Sequence, residues 1–306
     1  MKLSRRQFTQ AGLGAGALLA SGIAPLSAAE HELLERPIPS TGETIPVIGV
    51  GTNRYGVGDD AAARAPLKAS LARFRELGGT VVDTAPMYRS SETVLGDLVG
   101  ELGIGDELFM ATKVDRKGRS TQVERMQRSF RLLGYETIDL MQCHNIIDWQ
   151  TAIPVMREWQ EAGRVRYIGI TTSRENEYAE FERIMREHQL DFVQVNYSLA
   201  DQRLSAERLL PLAAERGMAV LVNRPFGGGN VFGKLRGVDL PDWARDFDVG
   251  SWGQFLLKYV LSHPAVTAAI PGMTKPRHVE DNMGAGRGRL PSAEERRLME
   301  RFFDAL

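Results

Sequence analysis

Between Val47 and Pro271 the chain holds eight short apolar runs separated by longer segments, most of them with helical spacing and several closed by a glycine. The apolar runs are Val47–Gly51, a run ending at Asp83, Leu108–Val114, a run ending at His144, Val165–Thr171, Phe192–Tyr197, Ala219–Asn223 and Val266–Pro271. Four to seven residues suit a buried strand, while the intervening segments carry apolar residues at three- and four-residue intervals. In the first of them Leu67, Leu71, Phe74 and Leu77 form one stripe, and Gly78-Gly79 stops it. Strands alternating with helices through short loops predict a parallel sheet, and eight repeats predict a closed (β/α)8 TIM barrel over an open sheet.

Two additions flank the pattern. Residues 36–46, with Thr41-Gly42 as the turn, predict an N-terminal β-hairpin. Residues 292–306 predict an extra C-terminal helix, opened by a Ser292/Glu295 capping box. No linker interrupts residues 30–306, so they are read as one barrel domain. Residues 226–248 form a long connection containing Gly227-Gly228-Gly229, a length that in compact domains marks function or mobility. The formal net charge of -1 gives no basic footprint and excludes nucleic acid as the expected partner. The lone cysteine, Cys143, excludes an internal disulfide. It adjoins His144, but neighbouring strand residues face opposite ways, so the two are not expected to act as a nucleophile pair.

Residues 1–29 read as an address. Ser4-Arg5-Arg6-Gln7-Phe8 precedes a glycine-rich apolar stretch and the small-residue exit Ser27-Ala28-Ala29. A positive start, an apolar middle and a small-residue exit make a secretory signal. The paired arginines with Phe8 resemble a twin-arginine signal, which implies the twin-arginine export machinery as a partner and a periplasmic or exported destination, with a cytoplasmic pool as the alternative. The stretch is short for a spanning helix of about 20 residues, so no stable membrane span is expected in the mature chain. Gly12-Leu13-Gly14-Ala15-Gly16-Ala17 matches a dinucleotide fingerprint in letters only, because no strand precedes it.

Four polar residues fall at predicted strand ends: Asp83, Lys113, His144 and, five residues past Asp83, Tyr88. In a parallel barrel those ends converge on one face, which carries the chemistry. A carbonyl that accepts a hydride needs a proton, and a free tyrosine with a pKa of about 10 holds its proton too tightly for easy transfer at neutral pH. A neighbouring ammonium lowers that pKa. Lys113 is expected to do so, with Asp83 holding Lys113 and His144 orienting the carbonyl oxygen. Singly each residue has a bland reading, as a turn acid, a solvated lysine, a packed ring or a core histidine; their joint placement favours the chemical one.

The stretch Gly79–Gly96, with Asp83-Thr84-Ala85, Tyr88, Ser91-Glu92 and Leu95-Gly96, resembles the aldo-keto reductase signature. Ser129–His144, with Leu133-Gly134 and Ile138-Asp139-Leu140, resembles the family's next block, and Lys113 supplies the remaining position. The resemblance spans about residues 38–282. It implies an NADP-linked reductase of a small carbonyl substrate, with NAD as the alternative cofactor and no metal. Tyr88 is then the general acid, tuned by Lys113 and Asp83, with His144 orienting substrate. Thr171 and Thr172 stand where the family has a Ser-Asn pair for the cofactor carboxamide, and Gln194 matches its third ligand. Asn223 stands where many members stack an aromatic ring. Lys275 and Arg277 lie in the segment that resembles the adenosine-phosphate loop, as 2′-phosphate ligands or as solvated charges, and Asn282 matches the adenine-side asparagine. Asn53, Arg54, Tyr55, residues 146–149 and residues 226–243 are the expected pocket walls; Trp149 and Trp243 are either walls or packing. A cofactor-binding redox sensor or regulatory subunit with little turnover, and a barrel isomerase or dehydratase, are the competing readings.

Overall fold

A computed structural model describes residues 32–201 and 203–306; the segment read as an export signal, 1–29, lies outside the described residues. The chain opens with an antiparallel hairpin, β1 (Glu35–Pro37) and β2 (Thr44–Pro46), paired Arg36 to Ile45. Eight parallel strands follow in sequence order: β3 (Val50–Gly51), β4 (Val81–Asp83), β5 (Phe109–Val114), β6 (Ile138–Cys143), β7 (Val165–Thr171), β8 (Phe192–Asn196), β9 (Ala219–Asn223) and β10 (Ala268–Ala269). The barrel closes between its first and last strands. Gly49 N donates to Ala269 O at 2.9 Å, Ala269 N to Val47 O at 2.9 Å and Gly51 N to Pro271 O at 3.0 Å. Gly51 is required at this seam, because a Cβ there would sit 2.7 Å from the Ile270 carbonyl oxygen.

Outer helices separate the strands: α1 (Ala61–Glu76), α2 (Ser91–Leu102), α3 (Arg119–Leu133), α4 (Trp149–Glu161), α5 (Tyr178–Glu187) and α6 (Leu204–Glu215). After β9 come α7 (Val231–Lys234) and α8 (Trp252–Leu261), and after β10 come α9 (Pro276–Ala285) and α10 (Ala293–Asp304). The capping box at Ser292 and Glu295 opens α10 as the sequence predicts. Among the described residues no helix is long and apolar enough to cross a membrane.

Strand parity divides the core in two. Val82, Met110, Met141, Ile168 and Val193 point outward to the helices, whereas Val81, Phe109, Leu140, Tyr167 and Phe192 fill the barrel. Ile38 and Ile45 of the hairpin region join the inner cluster and floor the barrel at the strand N-termini. The same parity carries upward: Phe109, Ala111 and Lys113 share one face, as do Leu140, Gln142 and His144. Cys143 takes the opposite face, fully buried, its Sγ 3.4 Å from Ile147 O, and burial pushes the thiol pKa up, so it is inert.

The structure differs from the sequence expectation in several places; the first strand shortens from Val47–Gly51 to Val50–Gly51. Strand eight shortens from residues 266–271 to Ala268–Ala269. The long connection after β9 is ordered by two 3-10 turns, Gly227–Gly229 and Asp242–Phe247, as well as α7. Trp243 anchors it by packing on Phe247, Phe255 and Phe302 at 5.7–6.0 Å. The segment that resembles the adenosine-phosphate loop, with Lys275 and Arg277, becomes helical at Pro276, a residue pre-set for a first helical turn.

Candidate active site

Four strands meet at one carboxylate. Lys113 Nζ, from β5, lies 2.7 Å from both oxygens of Asp83, on β4, and 2.8 Å from Thr84 O. Gln194, from β8, donates to Asp83 Oδ1 at 3.0 Å, and Gln142, from β6, does so at 3.4 Å. Asp83 is 2% exposed and Lys113 1%, so the pair is withdrawn from water. A buried ion pair persists only where further hydrogen bonds satisfy its spare valences; the two glutamines and the Thr84 carbonyl do so here. Gln142 is a member that the sequence does not single out, though it shares its face with His144 two residues on.

Tyr88 lies above this pair. Lys113 Nζ is 5.5 Å from the centre of the Tyr88 ring, and the His144 ring meets it edge-on at 6.0 Å and 89°. The loop carrying Tyr88 is pinned from below by Ser91, whose Oγ donates to Thr52 O at 2.9 Å and lies 3.1 Å from Thr84 Oγ1. Burial holds the Tyr88 pKa above its ordinary value; Lys113 opposes that shift and Asp83 adds to it. This corrects the expectation of a lowered pKa. Lys113 acts in the expected sense, but Asp83 sits on the same ammonium, and burial outweighs what remains. The consequence is a phenol that keeps its proton at neutral pH.

His144 is 7% exposed, and burial, followed by Lys113 and Arg174, lowers its pKa to about 3. It is therefore a neutral imidazole, able to offer one N–H. The backbone after it is strained: Asn145, Ile146 and Asp148 have φ of 52°, 47° and 50°. For a β-branched residue such as Ile146 this region costs roughly 1–2 kcal/mol. Thr171 Oγ1 holds the strained loop by accepting from Asn145 N at 3.1 Å.

The residues proposed for cofactor contact divide into two groups. Thr171 Oγ1 accepts from Asn145 N at 3.1 Å, which leaves its own O–H to donate, whereas the Thr172 hydroxyl donates to Glu177 Oε2 at 2.6 Å while accepting from Arg174 N at 3.1 Å. Gln194 has given its amide to Asp83. Asn223 and Asn282, in contrast, line a cleft of about 580 Å³ together with Asp83 and Tyr88. Asn223 Nδ2 donates to Thr172 O at 3.3 Å. Gly228 and Gly229, both at positive φ, give the cleft a wall without side chains. Lys275 and Arg277 stand at the start of α9 outside the cleft lining, whereas Thr274, His278 and Asp281 lie within it. His278 has its pKa lowered, first by burial and then by Arg277 and Lys275. The sequence offers no signal for Asp281, which is positioned by a 2.7 Å hydrogen bond from Ser251, the cap of α8.

Of the expected walls, Asn53, Arg54, Phe226 and Phe232 line the cleft. Tyr55 does not: it is fully buried, its hydroxyl donating to Met273 O at 2.9 Å. Trp149 is 8% exposed and donates to Glu180 at 2.8 Å, so it and Trp243 pack and do not line the cleft.

A family model described as the aldo/keto reductase family matches residues 47–300. The chain is 27% identical to methylglyoxal reductase YeaE of Escherichia coli K12, over 82% of its own length and 89% of that protein. It is 24% identical to aldo-keto reductase YhdN of Bacillus subtilis 168, over 79% and 86% respectively. Among solved structures, an aldo-keto reductase of Klebsiella pneumoniae in complex with NADPH superposes with a TM-score of 0.73 at 26% identity, covering 89% of this chain and 96% of that one.

Proposed function

The chain belongs to the aldo/keto reductase family, and from that premise we propose that it reduces the carbonyl of an aldehyde, ketone or sugar with Tyr88 as general acid. The observation that carries the reading is the buried Asp83–Lys113 pair directly beneath the Tyr88 ring. A cofactor-binding sensor has no use for a cation held under a protonated phenol, so the pair favours turnover.

The cleft suits a nicotinamide dinucleotide. Its side-chain-free glycine wall and the neighbouring Arg224 fit the phosphates, and Asn282 fits the adenine side. Lys275, Arg277 and His278, clustered at the first turn of α9, favour a 2′-phosphate and hence NADP over NAD. The NADPH of the Klebsiella relative supports the same choice. When bound, this group supplies the hydride. The protein supplies the rest. Neutral His144 donates its N–H to the carbonyl oxygen and fixes its direction. Tyr88, protonated at rest, delivers its proton as negative charge grows on that oxygen. Lys113 then stabilises the phenolate that remains.

Changing Tyr88 to Phe removes the proton donor while keeping the ring. We expect turnover of a small aldehyde with NADPH to fall by about a hundredfold or more, with the nucleotide Kd retained in a fluorescence titration. Equal turnover by the variant rules out this acid.

Residues 1–29 are proposed to direct twin-arginine export, on the strength of Arg5-Arg6 and the small-residue exit. Export of the folded protein would let it cross with cofactor bound. Changing Arg5 and Arg6 to Lys should abolish delivery in a fractionation assay, and unchanged delivery contradicts the assignment.

A further inference from the structure

Arg54 is a cation in the cleft without a carboxylate. It follows β3, is exposed, and lines the same cleft as Tyr88. Among the described residues no ion pair or side-chain hydrogen bond engages it, although acids are close in sequence. Asp59 pairs with Arg64 at 3.0 Å, and Asp60 caps α1 by accepting from Ala62 N and Ala63 N. Of the two carboxylates of the cleft, Asp83 holds Lys113, and Asp281 accepts from Ser251 through Oδ1; neither pairs with Arg54. Two other arginines that follow barrel strands have partners, Arg116 in Asp115 and Arg174 in Glu177.

The segment carrying Arg54 is fixed against the acid. Gly58 N donates to Ser90 Oγ at 2.9 Å, and a Cβ on Gly56 would sit 2.4 Å from Tyr88 O, so the two loops touch backbone to backbone. Arg224, the other unpaired guanidinium of the cleft, instead lies over the glycine turn assigned above to phosphates, its Nη2 3.0 Å from where a Gly228 Cβ would be. The apolar part of the wall comes from Phe226 and Phe232, stacked edge-on at 5.1 Å, with Phe232 42% exposed.

We infer that the cleft selects carbonyl substrates that carry a negatively charged group, a carboxylate or a phosphate, and that Arg54 is the residue that reads it. A guanidinium binds either oxyanion through two parallel N–H donors, and such charge-assisted bonds are about twice as strong as neutral ones. The inference rests on the reductase reading and narrows its substrate class.

The test compares 4-carboxybenzaldehyde with 4-methylbenzaldehyde, two rings of similar size that differ in charge, in the wild type, R54Q and R54K. We expect wild-type kcat/KM to favour the acid by about tenfold or more, the ratio to collapse toward one in R54Q, and R54K to restore part of it. NADPH affinity, followed by fluorescence, should shift by less than about threefold in R54Q. No wild-type preference, or an R54Q defect confined to NADPH affinity, overturns the inference; the second result would assign Arg54 to the phosphates of the cofactor. Should neither aldehyde turn over, the reductase reading fails separately. Calorimetric binding of 4-carboxybenzyl alcohol against 4-methylbenzyl alcohol to the NADP-saturated protein then decides on Arg54 without needing turnover.

Discussion

The Asp83–Lys113 pair can be tested apart from catalysis. Both side chains are almost fully buried and the ammonium contacts both carboxylate oxygens at 2.7 Å. Changing Lys113 to Met removes the charge and leaves Asp83 with only two amide donors, from Gln194 and Gln142. Breaking a buried pair in this way costs about 3–5 kcal/mol, because the surviving charge has lost its counter-charge but not its burial. For a chain of this size each kcal/mol moves Tm by about 2–4 °C, so K113M should melt some 10 °C lower. D83N should cost a comparable amount, since Lys113 then keeps neutral acceptors, an amide oxygen and Thr84 O, but no counter-charge. The double variant D83N/K113M contains no stranded charge. Its loss should fall short of the sum of the single losses by at least about 2 kcal/mol, measured by chemical denaturation with matched m-values. Activity should be lost in all three. Additive losses, within about 0.5 kcal/mol, would mean that the two groups do not stabilise one another, and the account of how Lys113 is held beneath Tyr88 would be wrong.

Acid stability should carry the signature of His144. Its pKa of about 3 lies below the unfolded value of 6.5, so the folded state resists protonation. The associated stability is whole above pH 6.5 and is lost as pH falls toward 3, by up to about 2 kcal/mol at pH 5. Replacing His144 by Gln should flatten the stability-pH curve in that window, and an unchanged slope contradicts the neutral imidazole. At the barrel seam, Gly51→Val places a side chain against the Ile270 carbonyl oxygen. A loss of several kcal/mol is expected by denaturation, whereas a loss below 1 kcal/mol would mean the seam is looser than described.

The fold was legible because strand and helix periods alternate without interruption, and because glycines such as Gly134, at φ 78°, end helices where the sequence places them. What failed to read was local. Strand eight reads short although Thr267 N and Ile270 N still donate to Val220 O and Val222 O of β9, and Gly272 bridges Gly51 across the seam. The connection after β9 looked unstructured because its order comes from Trp243 packing on distant rings, which spacing cannot display. At the site, strand parity brought Asp83, Lys113 and His144 to one face, and the structure gathers them around Tyr88. Parity says nothing of competition between hydrogen-bond partners. The Thr172 hydroxyl is taken by Glu177 and Arg174, and Tyr55 reaches the Met273 carbonyl instead of the cleft. The direction of the Tyr88 shift was likewise hidden, since sequence shows the cation but not the depth of burial that opposes it.

One carboxylate receiving donors from β5, β6 and β8 makes the upper barrel a lock with several keys. A slip of any of these strands by one residue would turn its key outward and strand the others. Evolution toward a new substrate is therefore channelled away from this ring, where one replacement demands simultaneous changes on separate strands. It is steered to the mouth, where Arg54 and Phe232 can be exchanged one at a time while the machinery beneath stays fixed.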